Sequence, residues 1–171
     1  WYRQFIMAIL QPLEPASVFD IGCGAGTTLR MVRDLWPTCD IAGCDIAPQA
    51  VSFAQDHLPG ARILRGSALD VLRMLPARSY EICLSVYMLA YISPDEFPAA
   101  LAELRRVASR YVVMAEPMIF GDQVHGGIIQ TTGHLQWRHD YLPHVNERDE
   151  IYPVGYTDAG NLDTDIVERV A

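Results

Sequence analysis

The sequence predicts an α/β fold, a doubly wound and mostly parallel sheet in a single domain, and three observations carry that prediction. From residue 17 to residue 117, strand-like and helix-like segments alternate, and alternation at this pitch means crossover connections between parallel strands. The segments Ser17–Ile21, Asp40–Asp45, Tyr80–Val86 and Tyr111–Ala115 are nearly continuous apolar runs, the pattern of parallel strands buried on both faces. The first of these runs stops at three glycines, Gly22, Gly24 and Gly26. A strand that turns through glycines into a helix leaves bare backbone and a helix N-terminus facing a ligand.

The elements follow in order. Ahead of residue 17, Tyr2, Phe5, Ile6, Ile9 and Leu10 give an amphipathic helical pattern, so residues 1–16 read as an N-terminal helix capping the sheet. Ser17–Ile21 is the first strand, and Thr27–Trp36 a helix closed by Pro37. Asp40–Asp45 is the second strand, and Pro48–His57 a helix stopped by Pro59 and Gly60. Ala61–Arg65 is a third strand, followed by a short helical turn around Leu69–Leu75. After the fourth strand, Tyr80–Val86, the segment Pro94–Ala108 places Phe97, Leu101, Leu104 and Val107 at helical spacing. Tyr111–Ala115 is the fifth strand. Beyond Glu116 and Pro117 the rhythm breaks. Residues 118–145 are rich in glycine, histidine and aromatics, and Glu150–Val154 and Asp165–Val170 read as two further strands flanking the turn-rich Gly155–Leu162.

Composition excludes several classes. A chain of 171 residues, half hydrophobic and one fifth charged, is ordinary for a globular domain with a real core. No apolar run approaches the roughly 20 residues that span a bilayer, and no signal-peptide pattern is present, so no membrane contact is expected. The chain opens at Trp1 rather than methionine, so the true N-terminus and any targeting segment are expected upstream. The formal charge is −8, with every basic residue an arginine and no basic run, which speaks against nucleic acid as a partner. Cys23, Cys39, Cys44 and Cys83 form no CxxC pair. They read as reduced, small buried hydrophobes, and a reducing, cytoplasmic location follows as the expectation.

Three ligand readings compete for the glycine turn. A dinucleotide fingerprint wants glycines at its first, third and sixth positions, but from Gly22 the sixth is Thr27. A phosphate-binding loop ends in Gly-Lys-Ser/Thr, which a chain without lysine does not supply. The pattern that fits is Asp-x-Gly-x-Gly-x-Gly from Asp20 to Gly26, with Cys23 inside it. It closely resembles the first motif of class I S-adenosyl-L-methionine-dependent methyltransferases, whose sheet is Rossmann-like.

The resemblance covers residues 17–117 and implies roles for the residues that match. Asp45, ending the second strand beside Ile46, stands where the family's acid takes both ribose hydroxyls; a carboxylate suits a vicinal diol because each oxygen accepts one hydrogen bond. Dinucleotide enzymes use the same device, so Asp45 supports an adenosine ligand without choosing between them. After the third strand the family commonly shows Gly-Asp beside the adenine; here Gly66-Ser67-Ala68 puts a serine in place of the acid. Ser85, Val86 and Tyr87 match the strand end bordering the methionine portion, where the Tyr87 ring face could stabilise a sulfonium. The implied cofactor-binding set is therefore Asp20, Gly22, Cys23, Gly24, Gly26, Asp45, Ile46, Ser67, Ala68, Ser85, Val86 and Tyr87, within a single domain over 1–171. Residues 1–16 would cap it, 17–117 form the cofactor-binding core, and 118–171 the acceptor-side segment with the last strands.

Methyl transfer is an in-line displacement, so most of its catalysis is positioning, with a general base for acceptors such as hydroxyls. Candidates cluster after the fifth strand at Glu116, His125, His134, His139, Asp140 and Tyr141, with His139, Asp140 and His134 as the catalytic candidates. If His139 is the base, replacing it with alanine should leave cofactor affinity intact and slow turnover at least about tenfold. The run Gly133–Tyr141 is also similar in part to the Gly-His…Arg-Asp-Phe segment of pseudaminic-acid-biosynthesis-associated methylases, as are Trp1-Tyr2-Arg3 and Ile92–Phe97. Tyr141 replaces that group's phenylalanine, and Met118-Ile119-Phe120 departs from its Tyr-Tyr-Asn. This likeness implies a sugar or other small polar acceptor. No metal is expected, because one five-residue histidine gap is poor evidence for a site. The alternatives are an NAD-dependent oxidoreductase on a similar sheet and a non-catalytic binding module.

Overall fold

The computed structural model describes residues 2–117, 128–131, 134–137, 139, 141–144, 150–156 and 162–169. The chain begins with α1 (Tyr2–Leu10), β1 (Ser17–Ile21), α2 (Thr27–Leu35), β2 (Asp40–Asp45) and α3 (Pro48–His57). It continues through β3 (Arg62–Arg65), α4 (Ala68–Met74), β4 (Tyr80–Val86), α5 (Phe97–Val107) and β5 (Ala108–Pro117). Four more strands follow: β6 (Ile128–Thr131), β7 (His134–Trp137), β8 (Glu150–Tyr156) and β9 (Leu162–Arg169).

Local chemistry sets several of these boundaries. The left-handed Gly26 (φ 76°) ends the turn after β1, and α2 starts at the next residue. Pro48 opens α3, where a missing N–H costs nothing because the first turn has no partner for it. The Ser67 hydroxyl caps α4 by accepting the Asp70 N–H at 3.2 Å. Helix α5 begins at Phe97 rather than Pro94, because the Ser93 carbonyl first takes the N–H groups of Glu96 and Phe97 in a tight turn.

The strands assemble as one seven-stranded sheet in the order β3-β2-β1-β4-β5-β9-β8, with β6 and β7 as a separate antiparallel pair. Strands β1 to β5 run parallel, and β9 lies antiparallel to β5 and β8. The core has two layers. Phe19, facing one side, joins the buried cluster under α4 and α5, whereas Val18 joins Ile6, Leu29 and Ala54 under α1, α2 and α3. The switch of layer between adjacent residues is the period of two of an extended strand. Strand β5 starts at Ala108 and runs ten residues, longer than its apolar centre, because β4 pairs with it on one edge and β9 on the other. The β6–β7 pair lies in a stretch whose sequence shows no usable periodicity.

The order matters for function. The chain steps outward from β1 to β2 to β3, then returns to the opposite side of β1 with β4. Connections leaving β1 and β4 therefore diverge, and a crevice opens at the carboxyl ends of these strands. Among the described residues no helix is long and apolar enough to cross a membrane.

Candidate active site

A cavity of about 490 Å³ occupies that crevice. Gly22 contributes from the turn after β1, Cys44 to Ile46 from the end of β2, and Gly66 to Leu69 from the β3–α4 junction. The loop after β4 supplies Tyr87, Met88, Tyr91 and Ile92, and Glu96 stands at the start of α5.

The turn after β1 needs glycine for two separate reasons. Gly22 has φ +64°, and a Cβ there would stand 2.2 Å from the Met88 Cγ; any side chain would push the facing loop away. Gly24 has φ +54° and open space where its Cβ would be, so bare backbone is presented there. The Cys23 N–H donates to the Cys44 carbonyl at 2.9 Å and ties the turn to β2. Beneath it, Asp20 is only 2% exposed.

Asp45 is the charged group at the centre of the arrangement. Its Oδ2 accepts the Gly24 N–H at 2.9 Å and its Oδ1 accepts the Ala47 N–H at 2.8 Å. A carboxylate oxygen has two lone-pair positions, so each retains one for a ligand hydroxyl in the cavity. Ser67, across the cavity, already donates its hydroxyl hydrogen to Asp70 Oδ2 at 2.7 Å. It can therefore only accept from a ligand.

The loop after β4 is held from outside itself. Tyr87 sits in the left-handed region at φ +54°, uncommon for a bulky residue, and its N–H donates to the Ala115 carbonyl at 2.8 Å. Residues Leu89–Tyr91 then form a single tight 3₁₀ turn. Glu116, buried at the end of β5, accepts the Ser85 hydroxyl at 2.5 Å and the N–H groups of Met88, Leu89 and Ala90 at 3.0, 3.1 and 3.4 Å. Burial pushes its carboxyl up to about 7, against the pull of those hydrogen bonds. At the other end, His139 Nε2 lies 3.0 Å from the carbonyls of both Leu89 and Ile92. Both partners are acceptors, so Nε2 carries the proton. The ring is 4% exposed and stacks on Phe97 at 4.1 Å, and burial lowers its pKa.

The sequence-derived candidates thus separate into groups. Gly22, Asp45, Ile46, Ser67, Ala68 and Tyr87 come together around the cavity. Gly24 touches it through the hydrogen bond to Asp45, while Gly26 packs at the start of α2, where a Cβ would stand 2.4 Å from Leu58. Asp20, Cys23 and Ser85 are buried, and Val86 packs against the core. Of the catalytic candidates, His134 opens β7 opposite Thr131, and His139 is not among the residues lining this cavity. His125 and Asp140 lie outside the described residues. Met88, Tyr91, Ile92, Leu69 and Glu96 line the cavity without having been singled out. Their one signal is position, directly after the carboxyl ends of β3 and β4. No group of three or more His, Cys, Asp or Glu side chains among the described residues is placed to hold a metal ion.

Comparison with known proteins adds four findings. The family described as methyltransferase domain matches residues 18–110. The sequence is 33% identical over 94 residues to the trans-aconitate 2-methyltransferase of Streptomyces avermitilis, covering 52% of this chain and 35% of that protein. It is 36% identical over 106 residues to the 2-ketoarginine methyltransferase of Streptomyces arginensis, covering 58% and 30%. The chain spans about a third of the length of these curated relatives. In three dimensions it resembles SAM-bound CalS10, an amino pentose methyltransferase from Micromonospora echinaspora, with a TM-score of 0.72 at 13% identity, covering 99% of this chain and 90% of that one.

Proposed function

The chain belongs to the methyltransferase-domain family, and from that premise we propose that it transfers a methyl group from S-adenosyl-L-methionine to a small-molecule acceptor. The observation that carries the reading is Asp45, a cavity-lining carboxylate whose two oxygens are each fixed by one N–H and each keep one acceptor position. That is the donor–acceptor complement of a ribose diol. The open space over Gly24 fits an amino-acid tail against bare backbone. Ser67, limited to accepting, suits the amino group of an adenine beside Ala68. When bound, the cofactor supplies an electrophilic methyl on a sulfonium, beside which the ring of Tyr87 would provide a negative face.

In this reading residues 17–117 hold the donor, and residues 118–171 supply the acceptor side, with His134 and Asp140 as candidates for a general base; the third candidate, His139, is engaged through Nε2 with the carbonyls of Leu89 and Ile92. A small polar metabolite, a sugar among the possibilities, is the proposed acceptor. The relatives named for trans-aconitate and 2-ketoarginine act on molecules of that kind. The charge of −8 with no lysine weighs against nucleic acid.

Calorimetric titration with S-adenosylhomocysteine and, separately, with NAD tests the proposal. S-Adenosylhomocysteine should bind, and Asp45→Ala should weaken it by about two to four orders of magnitude, the worth of two hydrogen bonds to a charged group. Binding of NAD alone would replace the proposal with an oxidoreductase. Failure of every adenosyl ligand to bind would make the domain a non-catalytic module.

A further inference from the structure

The cavity wall formed by Tyr87 to Ile92 needs an explanation, because its own hydrogen bonds, from Tyr91 N–H to the Met88 carbonyl and from Ile92 N–H to the Leu89 carbonyl, shape the turn without fixing where it stands against the sheet. It begins with Tyr87 in a left-handed conformation, which persists only where the surroundings over-determine it. It must also be placed finely: Met88 fills the space that a Cβ on Gly22 would occupy, so a small outward or inward movement changes the width of the cleft over the glycine turn. From this geometry we infer that Glu116 and His139 are positioning residues that set this wall against the bound cofactor, gripping its peptide groups from opposite ends.

The grip has two complementary halves. Successive N–H groups of a turn point into one concavity, a natural seat for an anion, and the N–H groups of Met88, Leu89 and Ala90 converge on the Glu116 carboxylate. The Ser85 hydroxyl adds a fourth donor. The carbonyls at the far end, Leu89 and Ile92, converge on the single Nε2 proton of His139. Neither brace belongs to the loop. Glu116 lies at the end of β5, and His139 follows β7, its ring stacked on Phe97 with Tyr141 edge-on to both. Both braces are buried, so water does not compete for these contacts. Because His139 comes from the segment assigned to the acceptor side, seating of its ring on Phe97 and binding of the cofactor reinforce each other, reciprocally as linkage requires.

The inference rests on the cofactor assignment above, and its test separates the two. In His139→Phe the ring and its stacking persist and the N–H donor is lost. Amide hydrogen exchange at Leu89 to Ile92, followed by NMR in the free protein, should quicken at least about tenfold, while the amides of β1 stay unchanged. The dissociation constant for S-adenosylhomocysteine, measured by calorimetry below the melting temperature, should rise at least about fivefold. His139→Gln, whose amide N–H replaces Nε2–H, should restore both. Glu116→Gln, which keeps the shape but turns one acceptor oxygen into a donor, should quicken exchange at Met88 to Ala90 and stands as the second reading if His139→Phe does not fold. Unchanged affinity and exchange in these variants would overturn the inference, and so would an equal loss of protection in β1. Wild-type protein that ignores S-adenosylhomocysteine would overturn the cofactor assignment and the inference with it. A His139 that acts only as a base predicts unchanged affinity, the opposite result.

Discussion

At its ordinary value of 4.5 a glutamate is ionised throughout the neutral range, whereas Glu116 is pushed up to about 7. Burial is the main cause, and the hydrogen bonds from Ser85, Leu89, Met88 and Ala90 oppose it. The titratable group that faces it, Tyr141, is itself buried and held well above its ordinary range, so it stays neutral and adds no competing titration. A folded-state value raised above the unfolded one means that protonation favours the folded state. The stabilisation is fully present below 4.5 and is lost as pH rises through about 7. A displacement of about 2.5 units is worth about 3 kcal/mol, of which about 2.5 kcal/mol falls between about pH 5 and about pH 8. Glu116→Gln removes the titration and leaves that of every other carboxylate in place. Urea unfolding of both proteins at the two pH values should show the wild type losing about 2.5 kcal/mol more than the variant on going to the higher pH, well above the extrapolation error of such measurements. Parallel stability curves would refute the buried, desolvated carboxylate.

Four further outcomes are expected. Gly22→Ala places a Cβ 2.2 Å from the Met88 Cγ at φ +64°; it should lower stability by about 1–3 kcal/mol and weaken S-adenosylhomocysteine binding at least tenfold, as read by denaturation and calorimetry. Gly24→Ala meets no atom and carries only the backbone cost, about 1 kcal/mol, with any loss of affinity reporting a ligand in that open space. Ser67→Ala removes the cap of α4 and should cost about 1 kcal/mol in thermal or chemical unfolding. The four cysteines are buried and free, with burial pushing Cys39 to about 11 and Cys44 to about 12. Thiol titration should therefore be slow in the native protein and complete in denaturant, and rapid native labelling of several thiols would contradict the packing.

Much of the scaffold was legible before any coordinates. Asp40–Asp45, Pro48–His57 and Tyr80–Val86 carry their boundaries in local signals: a run of apolar residues in each strand and a proline at the helix start. Asp45 was legible for the same reason, since its place at the end of an apolar strand follows from the strand itself. Ser67 lines the cavity and has a second task beside it. Its hydroxyl is engaged in capping α4, a contact just three residues away and readable in principle as a capping pattern. The β6–β7 pair and the full length of β5 were not legible, because a strand edge is stabilised by whichever strand arrives beside it.

By itself, the sequence determined the alternation of strands and helices, the glycine turn and the acid opposite it, since periodicity, backbone sterics and turn chemistry act over a few residues. Tertiary structure alone decided what holds the cavity wall. Glu116 reaches Leu89 across 27 positions and His139 reaches it across 50. Neither spacing has a local signature. A buried carboxylate or imidazole finds its partners among backbone groups, and every residue type offers the same N–H and C=O. Which of them a side chain meets depends on how the sheet has been ordered and on where the chain returns to it.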